Sequence, residues 1–127
     1  MILQEQSFAG LKLLALAHVC GAALQPVLAG QFLSGHAEAL AFHALLGETI
    51  GWIAVGQAFL ALLCWWSGSL RTWAAMVFVL IFAMDGLQIH TGYAKSLSLH
   101  IPLGASLLAI SFAMTLWVWR QTSLQRA

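Results

Sequence analysis

Four long apolar runs, separated only by short polar breaks, limit the folds open to this chain more than any other feature. The runs cover about residues 8–33, 39–66, 70–92 and 97–119. Each has at least the roughly 20 residues that an α-helix needs to cross the hydrocarbon core of a bilayer. Only helices and closed barrels satisfy their backbone hydrogen bonds in lipid, and continuous apolar runs are typical of helices. The sequence therefore predicts four transmembrane helices.

The composition agrees with a membrane protein of one domain. Hydrophobic residues make up 61% of the chain and charged residues only 7%, whereas soluble domains carry about 25% charged residues. The breaks SGHAE, SGSLR and GYAKS are too short for anything but tight turns, so consecutive helices should run antiparallel. We predict a single all-α domain over residues 1–127, an antiparallel four-helix bundle with the lipid bilayer as its surroundings. The net charge of +1 gives no reason to expect a nucleic-acid partner.

Basic residues predict the orientation of these helices. Lys12, Arg71, Arg120 and Arg126 belong to one side of the membrane in this topology, and only Lys95 belongs to the other. Five tryptophans lie at the helix ends on the basic side, as an interfacial aromatic belt would: Trp65, Trp66, Trp73, Trp117 and Trp119. Lysine and arginine are enriched in cytoplasmic loops. The chain is therefore expected to be an integral, multi-pass membrane protein with both termini in the cytoplasm.

An internal repeat is the second informative feature. The stretches QFLSGHAEALAFHALLG, residues 31–47, and QIHTGYAKSLSLHIPLG, residues 88–104, align without a gap at an offset of 57. They share a glutamine, two glycines, an alanine, two leucines and a histidine, which is 7 of 17 positions. The two halves of the chain, about 8–66 and 70–119, therefore read as two copies of one helical hairpin. Two hairpins of the same orientation are related by a pseudo-two-fold axis along the membrane normal.

The repeat predicts a ligand site at this axis. His43 and His100 should face each other across it near the outer face, with Gly47 and Gly104 one turn below on the same helix faces. Gly51 continues the smooth stripe in the second helix. A histidine above a groove without side chains, presented twice, suits a flat ligand whose metal takes two axial imidazoles. We therefore predict His43 and His100 as the iron ligands of haem b.

With its paired motifs HALLG and HIPLG, the chain resembles small four-helix membrane cytochromes of the b type. The resemblance covers the whole bundle in architecture. It implies one low-spin haem with two histidine ligands, which carries single electrons to or from quinone or a redox-partner subunit in a membrane complex or homo-oligomer. The chain lacks the CxxCH attachment motif, so the haem is expected to be non-covalent. A second haem is not expected, because the inner half offers only His18 with Met76 or Met114.

Other polar residues are candidates for supporting roles. Gln31 and Gln88, one in each copy, are predicted to hold the outer imidazole nitrogens of the two histidines, as residues behind a metal ligand commonly do. His90 is a candidate to bind a haem propionate, and a solvated or packing role explains it, like His36, equally well. Glu48 and Asp85 lie inside helices, where an acidic residue is a functional-site hypothesis by default; each is equally well explained as a neutral, hydrogen-bonded group.

Two other classes of function stay open from the sequence alone. One is an outward-facing metal-handling or transport protein that uses the histidines with Glu48 and Asp85. The other is a structural four-helix subunit whose histidines only pack. No residues resemble a nucleophile with its base, so the chain is expected to be an electron-transfer protein or redox subunit rather than an independent enzyme.

Overall fold

The computed structural model of the chain describes residues 2–124, and the side chains of residues 4–121. Met1 and residues 125–127, which include the predicted cytoplasmic Arg126, lie outside the described residues. The described part is all-helical, as predicted, and has four helices and no strand: α1 Ile2–Leu33, α2 Ala39–Trp66, α3 Thr72–Tyr93 and α4 Leu97–Leu124. The observed bounds of α2 equal the predicted ones. α1 begins before its apolar run, and α4 ends after its apolar run.

The helices pack as a four-membered ring. α1 packs on α2, α2 on α3, α3 on α4 and α4 on α1, so that α1 and α3, and likewise α2 and α4, lie diagonally across the bundle. The loops 34–38 and 94–96 lie at one end of the bundle, which we call the histidine end. The loop 67–71, the first turn of α1 and the last turn of α4 lie at the other, which we call the terminal end. Side chains from diagonal helices can therefore meet only on the bundle axis.

The outside of the bundle is apolar over its whole length. Many large hydrophobic side chains are exposed on this surface, among them Trp66, Leu33 and Trp52, which are 85%, 83% and 76% exposed. Water-soluble monomers rarely expose contiguous apolar patches beyond a few hundred Å². Each of the four helices is long and apolar enough to cross a membrane. The described residues are thus consistent with a multi-pass membrane protein.

One residue of the predicted basic side, Lys12, is buried rather than exposed. Lys12 is 8% exposed, and its Nζ lies 5.2 Å from the ring centroid of Phe8 and 5.5 Å from that of Trp119. The ammonium is therefore held between aromatic rings inside the bundle, where cation–π attraction partly compensates for lost water. Arg71 and Arg120 remain as exposed basic residues at the terminal end.

Candidate functional site

His43 and His100 meet at the histidine end of the bundle. They belong to the diagonal helices α2 and α4, which do not pack on each other, yet their ring centroids are only 6.0 Å apart with an angle of 60° between the ring planes. Both side chains are partly buried. The two imidazoles therefore lie on the bundle axis, as the repeat predicted.

Each of these histidines is held by the helix that precedes it in the chain. His43 Nδ1 lies 3.2 Å from the backbone oxygen of Gln25 on α1, and His100 Nδ1 lies 2.9 Å from the backbone oxygen of Gln88 on α3. A carbonyl oxygen only accepts hydrogen bonds, so both Nδ1 atoms are assigned as donors and carry the proton. In the neutral imidazole this leaves a lone pair on Nε2. Both histidines are therefore fixed in the tautomer that binds a metal through Nε2.

The side chains of the same two glutamines fill the space that the glycine of each copy leaves open beside its histidine. The Gln25 amide donates to the His43 backbone oxygen at 3.2 Å, and the Gln88 amide lies 3.3 Å from His100 Nε2. A Cβ added to Gly47 would lie 3.3 Å from Gln25 Nε2, and one added to Gly104 would lie 2.7 Å from Gln88 Nε2. The glycines thus admit the amide groups, whereas the sequence predicted an open groove beneath the histidines.

Gln25, and not Gln31, is the residue on His43. The Gln31 side chain is exposed, and its backbone oxygen accepts hydrogen bonds from Ser34 and His36 in the loop. Gln88 does contact His100, as predicted. The chain between the two positions is longer in the first copy: 18 residues separate Gln25 from His43, but only 12 separate Gln88 from His100. α1 continues further beyond Gln25 than α3 does beyond Gln88, and the loop 34–38 is longer than the loop 94–96. Gln25 in the first copy therefore corresponds to Gln88 in the second, and each follows a leucine, Leu24 or Leu87. An alignment without a gap cannot detect this correspondence.

The remaining predicted residues lie apart from the histidine pair or have other contacts. A Cβ on Gly51 would lie 2.9 Å from Ile89 Cδ1, so this glycine allows close packing of α2 on α3. His90 is exposed on the last turn of α3. Glu48 accepts a hydrogen bond from the Tyr93 hydroxyl on the exposed side of the bundle. These three positions therefore contribute no side chain to the histidine pair.

A second polar pair, which the sequence did not reveal, lies deeper in the bundle. His18 Nε2 on α1 and Asp85 Oδ2 on α3 are 2.8 Å apart, and the residues are 0% and 6% exposed. Like the first pair, they belong to diagonal helices and meet on the axis. The spacing holds a signal: His18 lies two turns before Gln25, and Asp85 lies one turn before Gln88, on the same helix faces.

The donor set limits the metals that suit the histidine pair. Within residues 2–124 no group of three or more histidine, cysteine, aspartate or glutamate side chains is placed to hold a metal ion. A tetrahedral zinc site takes three or four protein ligands. A haem iron takes its four equatorial ligands from the porphyrin and needs only axial ligands from the protein. Of these two kinds of centre, the pair matches the haem.

Comparisons with known proteins give no match. No protein-family model, curated protein or solved structure is significantly similar to the chain. The function is therefore inferred from the side-chain geometry described above.

Proposed function

We propose that this chain is a membrane-spanning b-type cytochrome, in which His43 and His100 hold one haem b for single-electron transfer. The observation that carries the proposal is that the two imidazoles have equivalent positions and equivalent hydrogen bonds. Both meet on the bundle axis, and each has Nδ1 on a backbone oxygen of the neighbouring helix. A packing role would need neither the facing arrangement nor the matching tautomers. The two histidines together are therefore better explained as the residues that would hold the haem iron.

The separation of the rings fits this role. Imidazole nitrogens bind first-row metals at about 2 Å, so two imidazoles on opposite sides of one metal have ring centres about 6 Å apart. The observed centroid distance is 6.0 Å. The amides of Gln25 and Gln88, which fill the space beside the rings, are the ends of flexible side chains and can rotate away. The residues present are thus compatible with haem binding.

The bound haem would supply one-electron chemistry at its iron. The chain's own residues would set its properties. The carbonyls of Gln25 and Gln88 orient the two rings and make the coordinating nitrogens more basic, which is the usual effect of such a hydrogen bond behind a metal ligand. A quinone in the lipid or a redox-partner subunit would exchange the electron.

The proposal includes the membrane topology. The two copies of the hairpin, about residues 8–66 and 70–119, would span the bilayer as antiparallel helices with the termini in the cytoplasm, and the histidine end would face outward. The exposed Arg71 and Arg120 at the terminal end support this orientation.

Cysteine labelling tests the topology. In a background with Cys20 and Cys64 replaced by alanine, Ala37→Cys or Ala94→Cys should react with an impermeant thiol reagent added to intact cells, because both positions are exposed in loops at the histidine end. Glu5→Cys, exposed at the terminal end, should react only after the cells are opened. Labelling of Glu5→Cys alone in intact cells would reverse the orientation.

Visible spectroscopy of the purified protein tests haem binding. Protein produced with haem supplementation should show, on reduction, the sharp bands of six-coordinate low-spin haem b, with about one haem per chain expected from one pair of ligands. Extraction into pyridine should return unmodified haem, because no covalent attachment motif is present. Folded protein that stays colourless under these conditions would contradict the cytochrome proposal.

A further inference from the structure

Polar groups continue along the bundle axis below the histidine pair. His18 and Asp85 meet there, and Ser111 on α4 and Gln57 on α2 are buried with them, at 3% and 2% exposure. All four helices therefore contribute a polar side chain to the interior. Such a set is unusual inside an apolar bundle, because a buried polar group is costly without a hydrogen-bond partner.

Several atoms of this set do lack such a partner. His18 Nδ1, Gln57 Oε1 and Ser111 Oγ are buried and have no hydrogen bond from any residue that the structure describes. The amide oxygens of Gln25 and Gln88 above them are in the same condition. Buried water commonly satisfies groups of this kind, with two to four hydrogen bonds for each molecule. The unpartnered atoms therefore mark places for internal water.

Contacts between the helices give the order of these groups along the axis. Thr115 Oγ1 donates to the Ala15 backbone oxygen at 3.1 Å, and Lys12 meets Trp119, so α1 and α4 run in opposite directions. Ser111 lies one turn from Thr115, and His18 lies three residues from Ala15, both toward the histidine end. At a rise of about 1.5 Å per residue, Ser111 and His18 are at nearly the same height.

Polar groups connect this level to the histidine end. Gln88 is one turn above Asp85 on α3 and touches His100. Toward the terminal end the interior contains the buried Lys12, Gln57 and Thr115, and the space around them is filled by side chains that are 0% exposed, namely Leu11, Ala61, Cys64, Phe78 and Val118. Water at the His18–Asp85 pair thus has a polar route to the histidine end and a densely packed layer on the other side.

We propose that His18 and Asp85 form a proton-binding site inside the bundle, reached by water from the histidine end. A proton from water binds His18 Nδ1, while the Nε2 proton stays hydrogen-bonded to Asp85 Oδ2; the resulting imidazolium is paired with the carboxylate, and release follows the same path. The other ionisable groups that face this axis are Lys12 on α1, His43 and Cys64 on α2 and His100 on α4. The site goes beyond the proposed function and does not require haem.

The sequence offers a probe that needs no mutation. The chain has four acidic residues, of which Glu5, Glu38 and Glu48 are glutamates and Asp85 is the only aspartate. Cell-free synthesis of the full chain into lipid nanodiscs with aspartate labelled by ¹³C at the side-chain carboxyl therefore labels one group. In haem-free protein, this carboxyl signal should change with pH between two plateaus in nuclear magnetic resonance spectra. A signal that stays constant over the range in which the nanodiscs stay intact would overturn the proposal.

Infrared spectroscopy of the same label tests the water route. After rapid perfusion with D₂O, the labelled carboxyl band should shift as the His18–Asp85 hydrogen exchanges. Ser111→Val removes the hydroxyl level with His18 and should slow this exchange at least tenfold, whereas Ser106→Val, the same change at an exposed position of α4, should leave it at the wild-type rate. Equal rates in the two variants would overturn the proposed water position.

A second matched pair tests the direction of entry. Gln88→Leu blocks the axis between Asp85 and the histidine end and should slow the exchange, while Gln31→Leu, an exposed position in the same end of the bundle, should not. Wild-type exchange in folded Gln88→Leu protein would mean that protons enter by another route and would overturn the assignment.

Discussion

Alanine at His43 or at His100 is expected to remove the six-coordinate haem. Each variant loses one axial ligand, and the remaining imidazole cannot hold the iron from both sides. Mutation of a residue that only hydrogen-bonds to a metal ligand typically lowers the affinity for the metal about 10- to 100-fold. Loss of a ligand itself should lower the haem content per folded protein by at least this factor. Because the two histidines have equivalent hydrogen bonds to α1 and α3, the two variants should be affected to a similar extent.

His36→Ala is the matched control for this experiment. The His36 side chain is 58% exposed in the loop at the histidine end and lies 3.7 Å from Glu38. Its replacement removes a histidine near the same end without touching the pair, so the haem content should stay at the wild-type value. A spectrum unchanged in His43→Ala or His100→Ala, or lost in His36→Ala, would reject the assigned ligands.

Leucine at Asp85 is expected to destabilise the folded bundle by about 3 kcal/mol, the scale on which breaking one side of a buried ion pair acts. The substitution leaves His18 Nε2 without its acceptor, and His18 Nδ1 already has no protein partner. The imidazole would then have no hydrogen-bond partner among the described side chains at either nitrogen, and its burial would be correspondingly costly. The free energy of unfolding in detergent micelles measures the effect.

The double variant His18→Leu, Asp85→Leu separates this cause from simple crowding. Replacing both partners by apolar groups removes the unsatisfied imidazole, so the double variant should be more stable than Asp85→Leu alone. The same comparison with Glu48→Leu, whose partner Tyr93 is exposed, should show a change well below 1 kcal/mol. A double variant whose destabilisation equals the sum of the two single ones would mean that the pair is not coupled.

The number and positions of the four helices could be predicted from the sequence, but the start of α1 and the end of α4 could not. Hydropathy marks the part of a helix that fits in lipid, and α2 is apolar up to both ends, so its bounds Ala39–Trp66 were predicted correctly. α1 begins at Ile2 and α4 continues to Leu124 through glutamine, serine and threonine residues that an apolar run excludes. These residues can extend a helix that is already formed, because elongation is far easier than nucleation.

The histidine pair could be predicted from the repeat, but the residue that holds His43 could not, because the two copies differ in length between that residue and the histidine. The repeat identifies the pair His43 and His100 because these two positions of α2 and α4 correspond at an offset of 57. The preceding helices α1 and α3 correspond at an offset of 63, so the alignment chose Gln31 where the bundle has Gln25. Contacts between diagonal helices, such as His18 with Asp85, depend on the rotation of each helix about its own axis, and no local pattern encodes this rotation.

Near-infrared magnetic circular dichroism of the oxidised, haem-loaded protein tests the central claim most directly, because the charge-transfer band of low-spin iron reports the pair of axial ligands. The account predicts the band position of two imidazoles in the wild-type protein, its loss in both His43→Ala and His100→Ala, and its retention in His36→Ala. A band typical of one imidazole with a methionine sulfur, or a high-spin iron without this band, would contradict the claim that these two histidines hold the haem.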